Sequence, residues 1–408
     1  MKKLSFCLGL FALLSMPAAQ AFNQEIRARF QPDPSQPNKN VFVNQTPNSG
    51  YCTINPAECT SLGMFSIQLP TRFDSSREIV PGTSDETVAL KVPANWRRLT
   101  VINQDTREEE TVEVRITGIG SKYVLSQKAA ILVGGASDNV EAHQKLWTND
   151  RWNYAPAPCR YSGVGYVTDY TYRFFWKTPM ETSCSKMAAY RIPRMSFDGI
   201  DFAYELRTPN PLSMSSGLYT GSISYTIGPN GDFQMGSMMV PDDGNLTLDF
   251  VLDVQHTLKV DLPPGGDKVA MEPVGGWQRW IDGGRMPTEI YRDQLFYLSA
   301  SSRFKVMMLC SSHGGNECDI GNNQVGFSKF QVRLTVPKGI VGPGNADGWS
   351  GTLNHNLWIG PFEPSRYVDR KPGTLRFQMP SRWIESLLKP GMNGTLWGNV
   401  TIIFDSEV

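Results

Sequence analysis

The C-terminal stretch of the chain, residues 394–408, reads GTLWGNVTIIFDSEV. Every second position from Leu396 onward is apolar or glycine, and polar side chains such as Asn399 and Thr401 lie between them. This alternation predicts a β-strand with one buried face. Because no later segment could pair with it, we expect the strand to lie at a sheet edge, where an apolar face meets unpaired backbone groups. The residues of that face are Leu396, Gly398, Val400, Ile402 and Phe404.

A similar pattern occurs earlier, at residues 217–227, which read GLYTGSISYTI. Gly217 and Gly221 take the places of Gly394 and Gly398, and apolar residues then alternate with Ser and Thr. Two related strands favour two β-domains, each completed by one of them. A chance similarity between two amphipathic strands is the alternative.

Length and composition agree with this interpretation. A chain of 408 residues exceeds what one hydrophobic core usually serves. With 37 Gly, 28 Pro and 11% aromatic residues, it is typical of an all-β protein with many short strands. Lys plus Arg and Asp plus Glu both number 39, and this balance argues against nucleic acid or an anionic membrane as the partner.

Turn and linker signals divide the chain. We expect a first domain at residues 22–238, a linker at 239–244 and a second domain at 245–408, which opens with the alternating stretch LTLDFVLDV. Within the first domain the patterns predict strands at 64–69, 87–92, 98–103 and 111–117, a turn at 118–120 and a helix at 140–147. Within the second they predict strands at 256–262, 294–300, 304–309, 326–336 and 374–378, and a helix from 381 that Ser381 caps and Pro390 ends.

The N-terminal segment, residues 1–21, has the organisation of a signal peptide. Lys2 and Lys3 precede a short apolar run, and Ala19-Gln20-Ala21 is a small-x-small cleavage site. We therefore expect export and a mature chain that starts at Phe22. Neither this run nor any later one reaches the ~20 residues that a membrane-spanning helix needs.

Cysteine usage agrees with export. Without Cys7 of the signal peptide, six cysteines remain, and their proximity in sequence predicts three local disulfides. The four histidines are scattered and no CxxC is present, so we expect no metal site and no cofactor. The expected pairs are Cys52 with Cys59, Cys159 with Cys184, and Cys310 with Cys318.

Aromatic and polar residues are concentrated between residues 146 and 172. Sugar rings have apolar faces and hydroxyl rims, so a site for them combines flat aromatic side chains with fixed carboxylates and amides. The even spacing of Tyr166, Tyr170 and Tyr172 favours one core-facing side of a strand for these three. The preceding loop is the candidate ligand site, formed by Trp147, Asn149, Asp150, Arg151, Trp152 and Tyr154.

Enzyme signatures are weak, and we expect no enzymatic activity. Residues 183–186 form S-x-x-K and residues 137–139 form S-D-N, but the order is reversed relative to penicillin-binding enzymes and no K-T-G follows. No G-x-S-x-G occurs. An exported carbohydrate-active enzyme that uses Asp150 and Asp169 as a carboxylate pair remains an alternative.

Taken together, the signal peptide, the cysteine-bearing β-rich first domain and the motif Gly394, Gly398, Val400, Ile402, Phe404 resemble the two-domain tip adhesins of bacterial chaperone–usher pili. The type 1 pilus adhesin has the same layout. The resemblance implies two β-sandwich (immunoglobulin-like or pilin-like) domains in tandem, the C-terminal one lacking its last strand. It also implies that the motif lines a groove filled by a donated strand.

The same resemblance implies the partners and the location. A periplasmic pilus chaperone, an outer-membrane usher and the N-terminal extension of the next pilus subunit would act on the second domain. A host glycan or protein receptor would bind the first domain, at a fimbrium on the bacterial surface. A non-adhesive pilus subunit or assembly initiator is the alternative within the same family.

Overall fold

The computed structural model describes residues 22–82, 88–323, 325–389 and 394–406. The expected signal peptide, Thr87 and Pro390 lie outside these residues. The described part is dominated by β-strands and contains two large cores of buried side chains, one drawn from residues 26–254 and one from residues 290–384, and a smaller buried cluster around Tyr51 and Phe175. The prediction of an all-β protein built as tandem β-sandwiches is confirmed. Within these residues no helix is long and apolar enough to cross a membrane.

The first core is enclosed by a 13-stranded, strongly curled sheet and a small two-stranded one formed by β5 and β10. Along its main path the 13-stranded sheet has the order β14-β4-β11-β7-β6-β13-β15-β1-β2. The strands around this core are β1 (Phe22–Phe30), β2 (Val43–Asn44), β3 (Phe65–Leu69), β4 (Phe73–Ser75), β5 (Val88–Leu90), β6 (Arg97–Asn103), β7 (Glu109–Leu125), β8 (Arg160–Val167), β9 (Thr171–Lys177), β10 (Cys184–Lys186), β11 (Met195–Phe197), β12 (Ile200–Arg207), β13 (Gly217–Thr226), β14 (Met239–Pro241) and β15 (Asn245–Val254).

Strand β15 packs with the first core, so the boundary between the two units differs from the one that the sequence suggested. It pairs along its length with β13 on one side and, in parallel, with β1 on the other. Its inward side chains, among them Leu248 and Phe250, belong to the first core. The expected linker likewise holds β14, which pairs with β4. The first core therefore extends to Val254 rather than ending at 238, because β15 supplies apolar side chains that the first core buries.

Strand β13 is also not the last strand of its unit. It lies between β15 and β6, and its residues Tyr219 and Thr220 pair with β6. The expectation that each unit ends with a related strand is therefore wrong for the first one. The chain returns through β15 and gives β13 a second neighbour.

Strand β7 runs without a break through the expected turn at residues 118–120. A Cβ atom on Gly118 would lie 2.5 Å from the ring of Phe175, which crosses the strand at this point. The glycines therefore allow an aromatic ring to approach the backbone closely, and they do not turn the chain.

Helices are short and few in the described residues. Asp138 caps α4 by accepting a hydrogen bond from the backbone N–H of Glu141, as a helix of this length requires. The last helix, α6, is preceded by Pro380, and Ser381 makes no capping bond, contrary to expectation. The α-helices are α1 (Tyr51–Ile54), α2 (Pro56–Leu62), α3 (Ala129–Leu132), α4 (Asn139–Leu146), α5 (Gln278–Ile281) and α6 (Ser381–Leu387), and single 3₁₀ turns occur at Pro211–Ser213 and Pro343–Asn345.

The second core lies between an eight-stranded sheet, β16-β18-β27-β22-β21-β20 with β17 and β25 beside it, and a five-stranded sheet, β24-β23-β26-β19-β28. Its strands are β16 (Leu258–Asp261), β17 (Glu272–Pro273), β18 (Glu289–Ala300), β19 (Phe304–Cys310), β20 (His313–Gly314), β21 (Glu317–Asn322), β22 (Gly326–Thr335), β23 (Ile340–Gly342), β24 (Ala346–Asp347), β25 (Ser350–Leu353), β26 (Trp358–Pro364), β27 (Val368–Pro380) and β28 (Val400–Ser406).

All three expected disulfides are present. Cys52–Cys59 joins α1 to α2, and Cys159–Cys184 joins the residue before β8 to β10. Cys310–Cys318 joins β19 of one sheet to β21 of the other, across the second core. The sequence proximity of the cysteines was therefore a sufficient guide to their pairing.

Candidate functional site

The C-terminal strand β28 is the edge strand of its sheet. It pairs in antiparallel register with β19, from Val400 opposite Cys310 to Ser406 opposite Phe304. Among the described residues no strand pairs with its other side, although β16 of the facing sheet comes close to it. The expected edge position is confirmed, and one row of β28 backbone groups is left without a strand partner.

The inward face of β28 is apolar and only half-buried. Val400, Ile402 and Phe404 pack against the second core without being enclosed by it. The Phe404 ring lies 5.6 Å from that of Phe296 and 6.1 Å from that of Phe304, both fully buried. The edge therefore opens onto the core itself, which is the arrangement that an added strand with apolar side chains would close.

The facing sheet has a matching gap. Strand β18 pairs on its outer side with β17 at residues 290–291 and with β16 at residues 297–300. Within the described chain, no strand covers residues 292–296 on that side. Leu295 in this interval is exposed. The two sheets of the second core are thus both incompletely covered along the side where β28 lies.

The first two residues of the predicted groove motif lie elsewhere. Leu396 and Gly398 precede β28 in the chain. They lie beside β21, where Trp397 forms an isolated bridge with Gly321. A Cβ atom on Gly398 would stand 3.0 Å from the carbonyl oxygen of Asp319, so glycine permits this close passage. Only Val400, Ile402 and Phe404 of the motif lie on the inward face of the edge strand, because the strand begins at Val400.

The predicted ligand loop is divided between core and surface. Trp147 and Trp152 are 3% and 0% exposed and pack on each other with ring centroids 5.0 Å apart, so they cannot contact a ligand. Asn149, Asp150 and Arg151 are at least partly accessible, and Tyr154 is 44% exposed. Both tryptophans fill the first core, Trp152 next to Trp176 and Phe174 and Trp147 next to Tyr123.

Tyr161 joins the accessible part of the loop. Its ring stacks on that of Tyr154, with centroids 5.7 Å apart and planes 18° from parallel, and it is 55% exposed. It was in the aromatic segment but not among the predicted site residues. No local pattern marked it, since the pairing of Tyr154 with Tyr161 depends on where the loop meets β8.

The loop is held from below by a buried lysine. Lys186 is 1% exposed, and its Nζ donates to the backbone carbonyl oxygens of Asn149, Asp150 and Arg151 at 2.9, 3.2 and 3.3 Å. Burial lowers the pKa of Lys186 to about 8. Sequence reasoning missed this residue. The signal was its i+2 spacing from the disulfide-bonded Cys184 in one short strand, which places both side chains on the same inward face.

The three tyrosines expected to share a core face do not. Tyr172 is fully buried, but Tyr166 is 59% and Tyr170 41% exposed. The prediction is wrong for these two, because Tyr166 lies on β8 and Tyr170 on the turn that leads to β9, so the even spacing does not continue along one strand. In the described residues β8 pairs with β9 alone and is itself an edge strand.

The enzyme-like groups are engaged in structural contacts. The Asp169 carboxylate accepts from Asn139 and forms an ion pair with Lys128 at 2.7 Å, and these contacts lower the pKa of Asp169. A carboxyl of lowered pKa is a poor general acid. Lys186 of the S-x-x-K sequence donates its hydrogen bonds to the carbonyl oxygens of residues 149–151.

Metal-binding groups are also dispersed. Within the described ranges no three His, Cys, Asp or Glu side chains are placed to hold a metal ion. The fold does bring His313 and His355 together, with ring centroids 3.8 Å apart. His355 Nδ1 accepts from the backbone N–H of Cys310 at 3.1 Å, which fixes that ring beside the disulfide.

No family model matches the chain, and no curated protein matches it in sequence. Among solved structures, the chaperone–tip adhesin complex of CFA/I fimbriae biogenesis is similar over 95% of this chain and 97% of that one, at 9% identity and a TM-score of 0.27. A mutant of the enterotoxigenic E. coli CFA/I adhesin CfaE is similar over 95% of this chain and 93% of that one, at 9% identity and a TM-score of 0.28.

A third structure is the CsuC–CsuE chaperone–tip subunit pre-assembly complex of the archaic chaperone–usher Csu pili of Acinetobacter baumannii. It is similar over 94% of this chain and 97% of that one, at 10% identity and a TM-score of 0.22. These structural neighbours are chaperone–usher tip adhesins.

Proposed function

We propose that this chain is the adhesive subunit at the tip of a chaperone–usher pilus. The proposal rests on the edge of β28 that has no strand partner in the described chain and that lies beside a partly exposed core. An exposed edge strand with an apolar inward face is normally a hazard, because it pairs with other chains. Here the exposure is functional: the second unit accepts a strand from another protein and is completed by it.

Donor-strand complementation gives each partner a physical role. A periplasmic chaperone lends a strand to β28 while the subunit is held for assembly, and the N-terminal extension of the next pilus subunit replaces it at the outer-membrane usher. Backbone hydrogen bonds to β28 give affinity, and apolar side chains that enter beside Ile402 and Phe404 give specificity. The chain is exported through the periplasm and ends at the fimbrium.

The first unit supplies adhesion. Its core is complete in the described chain, with β13 flanked by β15 and β6, so it needs no strand from a partner. A self-sufficient β-unit ahead of a strand-accepting one is the division of labour that a tip subunit requires. Its receptor is a glycan or a protein on the surface to which the bacterium attaches.

The strand-accepting role can be tested by extending the chain. A flexible Gly/Ser linker and a nine-residue strand of alternating Val/Ile and Thr/Ser are fused after Val408, and the control extension has the same composition in shuffled order. The alternating extension is expected to raise the thermal midpoint of the second unit by about 5 °C or more and to yield a monomer, because only it fills the groove. Equal midpoints for both extensions would contradict the proposal.

A further inference from the structure

We propose that the surface of the Tyr154 and Tyr161 rings, with Asp150 and Arg151 beside them, binds a saccharide, and that Lys186 is its positioning residue. The inference rests on the proposed function, because receptor binding by the first unit is part of it. It replaces the buried tryptophans of the predicted site with two exposed tyrosines.

The two rings form one exposed, amphipathic aromatic stack. Tyr154 and Tyr161 are 18° from parallel and about half exposed, and the Arg151 guanidinium lies 5.5 Å from the centre of the Tyr154 ring. The exposed face of such a stack can pack against the C–H face of a pyranose. The Tyr154 hydroxyl accepts a hydrogen bond from Arg151, which leaves its own O–H to donate to the hydroxyl rim of the sugar. Such packing needs exposed rings, which the core tryptophans do not offer.

The polar groups next to the rings are fixed in place. Arg151 Nε donates to Asn153 Oδ1 at 3.0 Å, and Asn153 is buried and also bonded to the Tyr172 hydroxyl. The backbone N–H of Arg151 donates to Asp150 Oδ1 at 2.7 Å. Asp150 Oδ2 has no hydrogen-bond partner in the described chain and can accept from a sugar hydroxyl. Oriented donors and acceptors beside an aromatic face are what distinguishes one sugar from another.

Lys186 keeps this surface in one shape. Asn149 and Asp150 both have left-handed backbone angles, φ 58° and 73°, which Asn and Asp adopt more readily than other non-glycine residues but which are still less favourable than the right-handed region. The three donors of the lysine ammonium meet three successive carbonyl oxygens there, so the strained turn is stabilised by a charge that is itself costly to bury. A loop held in its bound conformation loses little entropy when it binds.

The size of the surface favours a saccharide over a protein. It consists of two rings and one loop, whereas a stable protein interface uses about 20–30 residues on each side. One or two sugar units would cover the exposed part of the stack. Contacts of this size are individually weak, which suits adhesive fibres that use them in large numbers.

The experiment uses the full chain carrying the alternating C-terminal strand extension, applied to an array of underivatised oligosaccharides. The best-binding oligosaccharide is then titrated in solution against Tyr154→Ala, Tyr161→Ala and, as a matched control, Tyr170→Ala at the opposite end of the same β8–β9 hairpin. We expect at least tenfold weaker binding for the first two and less than a twofold change for the control. Tyr154→Phe should stay within about threefold of the parent chain.

Lys186→Met tests the positioning role, since methionine fills the space but donates no hydrogen bond. Both tyrosines remain, yet binding at pH 7 should weaken at least tenfold. The parent chain should also bind more weakly as pH rises above 8, where Lys186 loses its charge next to Asp150, whereas the methionine variant should show no such change between pH 7 and 9. A loss of binding with an unchanged pH profile in both proteins would contradict the positioning role.

Three results would overturn the inference: binding that Tyr154→Ala and Tyr161→Ala leave intact, no binding to any oligosaccharide, or binding to a deglycosylated protein receptor instead. None of these results bears on the strand-accepting role, which is tested independently by the thermal midpoint of the same extended chain. If the extension fails to stabilise the second unit while the array shows tyrosine-dependent binding, the pilus assignment fails and the saccharide site stands.

Discussion

Asp201 is a buried carboxyl that links β12 to the first residue of α1. It is 4% exposed, accepts from the backbone N–H of Tyr51 at 3.1 Å and pairs with Arg173 at 3.2 Å. Burial raises its pKa to about 6, although the two hydrogen bonds act in the opposite direction. A raised pKa means that the folded state holds a proton that the unfolded chain has already released between pH 4 and 6.

The pH dependence of stability follows from that sign. The contribution of Asp201 is fully present below its ordinary pKa near 4 and is lost as pH rises through 6. From pH 4 to 7 the free energy of unfolding of the parent chain should therefore fall relative to Asp201→Asn, by up to about 3 kcal/mol at roughly 1.4 kcal/mol per pKa unit. Denaturant titrations of both proteins at several pH values measure this. A difference that stays constant with pH would show that Asp201 is ionised throughout.

At the residue scale, the sequence predicted which cysteines pair better than it predicted which aromatic side chains are exposed. The three disulfides could be assigned because each cysteine had a near neighbour of its own kind. The exposure of Trp152 and Tyr166 could not, since it depends on which strand each residue joins and on which side of that strand the first core lies. Aromatic composition located the region of the candidate site but not its accessible members.

At the element scale, the edge strand β28 offers a matched pair of substitutions. Ile402 faces the opened core and Ile403, next to it, points to the other face of the same strand. Ile402→Asp should prevent stabilisation by the alternating C-terminal extension, because a carboxylate would be buried in the groove. Ile403→Asp should retain most of it. Thermal midpoints with and without the extension provide the measurement, and equal effects of the two substitutions would contradict the assignment of the inward face.

The position of β28 could be predicted because it follows from local features, namely the alternation of apolar and polar residues and the place of this stretch in the chain. Continuity and pairing of the other strands were not. The glycines at 118 and 120 looked like a turn, yet β7 continues through them because the ring of Phe175 needs their missing side chains. Such a requirement arises from a residue more than fifty positions away, which no local pattern contains.

At the scale of the whole molecule, the unexpected feature is the parallel pairing of β1 with β15. Phe22 lies opposite Leu246 and Phe30 opposite Val254, so the first strand after the predicted signal peptide and the last strand of the first core are neighbours. Contacts between residues far apart in the sequence thus close the first unit. The linker composition at residues 239–244 suggested a boundary there, but the side chains of β15 are required by the core before it.

The division into two units can be tested with two fragments. Residues 22–256 retain β15, whereas residues 22–238 follow the boundary that the sequence suggested and lack it. The longer fragment should fold cooperatively without any donated strand, because β13, β15 and β1 remain joined. The shorter one should be unfolded or aggregated, since β13 and β1 lose the strand between them and five inward apolar side chains, Leu246, Leu248, Phe250, Leu252 and Val254, leave the core. Circular dichroism melts and gel filtration distinguish these outcomes. A shorter fragment as stable as the longer one would return the boundary to residue 238 and would make β15 part of the strand-accepting unit.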